Sequence, residues 1–218
     1  ALTNAYLAPV LTAHPTEARS PESILLFHEI QRSLVEQLSR GVDADSHVEL
    51  ERRLKLLLTV AWRHPIARRR KPSVKDEADS IFSILLRGET LDAILKASRE
   101  LAPVYARTWV GGDKDGHPGV DQTQLKQSLQ ASRDALLSWM RGRFGELEGF
   151  VAQLGDAELA KEISRLQPML LSLRVLKSGD GKRVSRLRME LKRVVNVHPA
   201  IEDMQLLLRL FPGLVVPL

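Results

Sequence analysis

The sequence predicts a mainly α protein in which helices surround a few short strands. Three observations carry that prediction. Apolar residues recur at three- and four-residue spacing through most of the chain. Capping residues, prolines and glycines punctuate those runs where helices begin and end. The stretches "LAPVLTA", "YARTWV" and "PGLVVPL" are short, apolar and rich enough in β-branched residues to read as buried strands.

In chain order, residues 7–13 form the first expected strand, which ends at His14. Ser20, Pro21 and Glu22 supply an N-cap, a first-position proline and an acid in the first turn. Ile24, Phe27, Ile30, Leu34 and Leu38 then line one face of a helix that Gly41 closes. A second helix is expected from about His47 to Trp62, stopped by Pro65. After the basic connector "HPIARRRKPS", residues 73–76 form a capping box with Asp76 in place of glutamate, opening a helix towards Gly88. A further helix spans roughly Thr90 to Leu101, and the second strand covers 105–110. Asp121 caps a long helix carrying Leu125, Leu129, Leu136, Met140 and Leu147. Further helices follow, broken at Gly155-Asp156, at 178–181 and at His198-Pro199; "KRVSRLRMELKR" reads as an amphipathic helix with a charged outer face. The stretch "KSGDGKR" is the candidate boundary between a region 1–177 and a C-terminal region 178–218 of helices and a terminal strand, unless both belong to one domain.

A chain of 218 residues, 44% hydrophobic and 27% charged, can bury one large core or two small ones. It has no cysteine, which excludes disulfides and thiolate metal sites. No apolar run nears the roughly 20 residues of a membrane span, and no basic leader precedes an apolar stretch. The expected location is cytoplasmic, with no membrane partner. A net charge of +5 favours anionic partners. The ten aromatic residues do not interleave with the basic clusters, so a stacking platform for single strands is not signalled and nucleic acid is disfavoured.

Two polar turns interrupt the helical rhythm. In "TAHPTE", Pro15 fixes its own φ and holds His14 towards extended geometry. A histidine so placed suits a general acid/base or an oxyanion donor. The structural alternative has His14 bonding a nearby carbonyl and Glu17 capping the next helix. In "GGDKDGHP", glycines let the backbone approach a ligand, while Asp113, Lys114 and Asp115 offer oxygens and a cation. That pattern suits phosphate or carboxylate capture; it equally suits a tight turn with capping aspartates. It is neither a Walker loop nor an EF-hand. The run Arg68-Arg69-Arg70-Lys71 reads as a solvated face or an anion patch.

Together these stretches resemble phosphoenolpyruvate carboxylase of the bacterial and plant type. "VLTAHPTE" is similar to that family's first signature and "TWVGGDKDGHPGV" to its Trp-(Met/Ile/Val)-Gly-Gly-Asp-Arg-Asp-Gly-Asn-Pro signature. Between them Trp62, Arg68, Lys71-Pro72-Ser73 and Asp76-Glu77-Ala78 fall in register with a third family stretch. The match is good over residues 7–140 and loose beyond. The resemblance implies helices around an incomplete β/α-barrel-type core. It implies the joining of phosphoenolpyruvate to bicarbonate, giving oxaloacetate and phosphate, with Mg²⁺ or Mn²⁺, and a homo-oligomer as an open expectation. It places His14 on the carboxyphosphate and enolate stage, and makes Asp113, Lys114, Asp115 and Arg68 candidate substrate-binding residues.

The departures are as specific. Ser20-Pro21 stands where the family carries a basic pair, His64-Pro65-Ile66 replaces Thr-Asp-Glu, and Lys114 and His117 replace arginine and asparagine. The family's metal-holding acids and substrate-closing loop have no counterpart here, so no metal ligands are assigned and the isolated chain is expected to be inactive. The competing expectation is a catalytically silent helical homologue that binds a protein partner or a small anion.

Overall fold

Local capping signals decide where most of these helices begin. The structure, a computed structural model, describes residues 5–12, 19–39, 44–65, 72–110, 121–194 and 198–217. In chain order it contains β1 (Val10–Leu11), α1 (Pro21–Ser39), α2 (Ala44–Arg63), α3 (Val74–Leu85), α4 (Gly88–Glu100) and β2 (Arg107–Thr108). There follow α5 (Gln122–Leu154), α6 (Ala157–Ser164), α7 (Gln167–Ser172), α8 (Asp180–Arg193) and α9 (Pro199–Leu210). The mainly helical class is therefore observed. The chain divides into two units, one of residues 1–12 and 85–218, the other of residues 13–84.

In the 13–84 unit, α1 and α2 pack as a helical pair. Ser20 Oγ accepts from Ser23 N–H at 3.2 Å, as the N-cap pattern requires. Glu29 on α1 accepts from Arg53 on α2 at 2.6 Å and from Arg32 at 2.8 Å. Burial pushes the Glu29 carboxyl up, but those two guanidinium bonds outweigh it and hold its pKa below the ordinary value. The box at the start of α3 closes in both directions. Ser73 N–H donates to Asp76 Oδ2 at 2.8 Å, and Asp76 N–H donates to Ser73 Oγ at 3.3 Å. Among the described residues of this unit, Leu50, Val74, Ala78, Ile81 and Phe82 are the buried apolar ones.

The larger unit is organised on α5. Leu136, Met140, Phe144, Leu147 and Val151 recur at helical spacing and are buried, and α5 packs against α9, whose Ile201, Met204, Leu207 and Leu208 are also buried. Asp121 Oδ1 accepts from Gln124 N–H at 2.9 Å, the expected cap. Gly155 ends α5 at φ 68°, a left-handed turn that glycine enters without the Cβ penalty. Asp156 then caps α6 through the Glu158 and Leu159 amides, and His198 caps α9 by accepting from Ala200 N–H at 3.2 Å.

A buried cation ties distant parts of this unit together. Arg133 of α5, 1% exposed, donates to Asp180 at the start of α8, to Gly213 O at 2.7 Å and to Leu214 O at 3.4 Å. Asp180 also accepts from Arg183 and from Lys177 N–H. Burial lowers the Arg133 pKa from its ordinary value; arginine starts so far above neutrality that the group stays charged.

Residues 212–217, the described part of "PGLVVPL", do not form a strand. They fold as turn and bend, with Leu214 N–H donating to Phe211 O and Leu214 at φ 50°. The carbonyls of Gly213 and Leu214, which a ladder would need, are held by Arg133 instead.

Candidate functional site

The two polar motifs of the sequence each follow one of two neighbouring strands along the chain. β1 and β2 run parallel, with Val10 opposite Arg107 and Leu11 opposite Thr108, and a bridge joins Leu7 to Val104. Tyr105 N–H donates to Leu7 O at 2.8 Å and Arg107 N–H to Pro9 O at 2.9 Å. Pro9 lacks an N–H, but its carbonyl faces β2, so the ladder loses nothing. Both strands are shorter than the sequence suggested, two paired residues each. Thr12 is the last described residue before the first motif and Val110 the last before the second. In open and closed α/β sheets alike, chemistry collects on the loops that leave the carboxyl ends of parallel strands.

The approach to the second motif is firmly anchored. Thr108 is buried; its N–H donates to Pro217 O at 3.0 Å, and its Oγ1 accepts from Val110 N–H at 3.2 Å. Val110 O accepts from Ser128 Oγ at 3.5 Å, and Ser132 Oγ accepts from Val216 N–H at 3.2 Å. Beyond the motif the chain resumes at Asp121, the cap of α5. The residues singled out in the sequence, His14, Glu17, Arg68, Asp113, Lys114 and Asp115, lie outside the described residues. Among the described residues no three His, Asp or Glu side chains gather as a metal site would need, and no helix is long and apolar enough to cross a membrane.

One constellation escaped the sequence reading. His64 Nε2 and Ser23 Oγ lie 2.9 Å apart, and Ser23 Oγ lies 3.1 Å from Ser20 Oγ. Ser23 is buried. The two local departures noted above, at Ser20 and at His64, therefore meet in space through Ser23. The 41 residues between Ser23 and His64 leave no local pattern to reveal the contact.

The class of protein so defined is a helical one in which two polar motifs follow paired parallel strands along the chain. The profile of the family described as phosphoenolpyruvate carboxylase matches residues 1–170. The chain belongs to that family. Three curated relatives carry the name phosphoenolpyruvate carboxylase. The Caulobacter vibrioides protein is 33% identical over 152 residues, 65% of this chain and 16% of the relative. The Vibrio atlanticus protein is 30% identical over 188 residues, 77% of this chain and 21% of its own. The Pseudomonas syringae pv. tomato protein is 28% identical over 201 residues, 85% and 21% respectively. The chain thus spans no more than about a fifth of the length of these relatives.

Proposed function

We propose that this chain contributes part of a phosphoenolpyruvate carboxylase active site, in which phosphoenolpyruvate and bicarbonate give oxaloacetate and phosphate. His14 acts at the carboxyphosphate and enolate stage, while Lys114, Asp113, Asp115 and Arg68 bind and orient the anionic groups. The observation that carries this reading is the β1–β2 register, which starts both motifs from adjacent ends of one parallel pair. Fixed donors and a cation at such an edge meet what a multiply charged intermediate requires, preorganised charge shielded from water. The Pro217 carbonyl on the far side of β2 supports an incomplete β/α-barrel-type core, since a third segment lies next to β2. A divalent Mg²⁺ or Mn²⁺ would supply Lewis-acid stabilisation of developing charge; the described residues offer no cluster to hold it, and no step here runs through it.

The second reading, a catalytically silent homologue binding an anion or a protein partner, is favoured by the His64–Ser23–Ser20 chain. Ser20 there stands where the family carries a basic residue, and His64 opens the stretch that replaces the family's Thr-Asp-Glu.

Calorimetric titration with phosphoenolpyruvate and Mg²⁺ separates the two. Saturable binding that weakens in both His14→Ala and Lys114→Ala supports the active-site reading. Binding indifferent to both substitutions sinks it.

A further inference from the structure

Three cations on α8 and α9 line one groove and form no ion pair among the described residues. The groove, about 380 Å³, is lined by Arg188 and Lys192 of α8, Glu202, Gln205 and Arg209 of α9, and Arg99 of α4. Arg188 and Lys192 stand four residues apart on one helical face, a like-charge spacing that costs stability in a helix. Elsewhere on α8, Arg183 pairs with Asp180 and Arg193 with Glu190. Arg188, Lys192 and Arg209 have no carboxylate partner among the described residues. Asp203 is already engaged by Arg99 and approached by Arg143 Nε at 3.4 Å. Glu202 is the one carboxylate lining the groove. The walls are fixed: Gln205 Nε2 donates to Leu191 O at 2.9 Å, locking α9 to α8 beside the cations.

We infer that this groove is a binding site for a small phosphate-bearing anion. Its volume falls within the range of small-ligand pockets, roughly 300–1,000 Å³. The three free cations come from two helices, and Arg99 of α4, itself held by Asp203, adds a third side, so together they can face a tetrahedral group whose oxygens point several ways; a planar carboxylate is satisfied by a single guanidinium fork. A phosphate monoester near neutrality carries close to two negative charges, which the unpaired cations offset. Three free cations are too few to track a nucleic-acid backbone, and no aromatic side chain lines the groove for base stacking. The inference is independent of the active-site reading above.

The test is calorimetric titration of the 218-residue chain with inorganic phosphate at constant ionic strength, held with sodium chloride so that screening is fixed. Four variants are compared, each checked for helix content: Arg188→Gln, Arg209→Gln, Lys182→Gln and Lys114→Ala. Lys182 is an exposed cation of α8 that does not line the groove. The expected result is saturable binding, weakened roughly tenfold by each of the first two, unchanged by Lys182→Gln, and still dependent on Arg188 and Arg209 in the Lys114→Ala background. Loss in Lys114→Ala alone would put the phosphate on the glycine-rich turn and overturn the inference while leaving the active-site reading intact. Equal weakening by Lys182→Gln would reduce it to diffuse attraction. Absence of binding overturns it outright. So does tighter binding of succinate, or displacement of phosphate by a short DNA strand with steep salt dependence.

Discussion

Arg133 shows how a single residue can be costly to remove and still contribute little by being charged. Its guanidinium is spread over Asp180 and two carbonyls of the 211–217 turn, all withdrawn from water. Truncating it strands a buried carboxylate and two acceptors, which costs about 3–5 kcal/mol. Arg183 remains on Asp180 and keeps the loss towards the lower figure. The double variant Arg133→Met, Asp180→Leu removes both charges together, and such apolar replacements are often neutral or stabilising. Urea unfolding of Arg133→Ala should show the large loss, and the double variant should recover most of it. No local pattern announces this network. Arg133 and Asp180 are 47 residues apart, and a serine, an arginine and an aspartate in an amphipathic helix look like solvated residues until the partners arrive.

At the scale of the element, the sequence was most legible where the deciding interaction is local. Ser20, Ser73 with Asp76, and Asp121 each bond within three residues of themselves, so their identities alone located three helix starts. Asp121→Ala removes the side-chain N-cap of α5 and should cost roughly 1 kcal/mol, read as a shift in the urea midpoint with an unchanged slope. The strands were less legible. A short apolar, β-branched run predicted β1 and β2 in place but too long, because pairing with one neighbour, not propensity, sets a strand's length. The terminal run failed for the same reason. It has the composition of a strand, yet Arg133 claims its carbonyls. Of the candidate site, the motif residues and the strands entering them could be read directly. The meeting of Ser20 and His64 through Ser23 could not, since it depends on how α1 and α2 pack.

The whole molecule is unevenly invested. Among the described residues of the 13–84 unit five apolar ones are buried, whereas α5 and α9 alone contribute more than that to the other. Local opening free energy follows buried contact density. Native-state hydrogen exchange should therefore find the slowest amides in α5 and α9 and appreciably faster ones in α1 and α2. Uniform protection across both units would contradict this. Nothing in the sequence marks the division: the chain leaves the larger unit after Thr12 and rejoins it at Leu85, with the second crossing inside the helical run of α3.

The β1–β2 pair joins Val10 to Arg107, residues nearly a hundred positions apart. Closing so long a loop costs entropy that a few ladder bonds repay only once the segments between them are already compact. The helices, built from neighbours in sequence, can assemble earlier. The strand ends that launch both polar turns are thus completed late in folding and surrendered early in unfolding. In the same exchange experiment, the amides of Tyr105 and Arg107, bonded across that span, should open ahead of the α5 core. A protein arranged in this way gives up its β1–β2 pair before it gives up its helices.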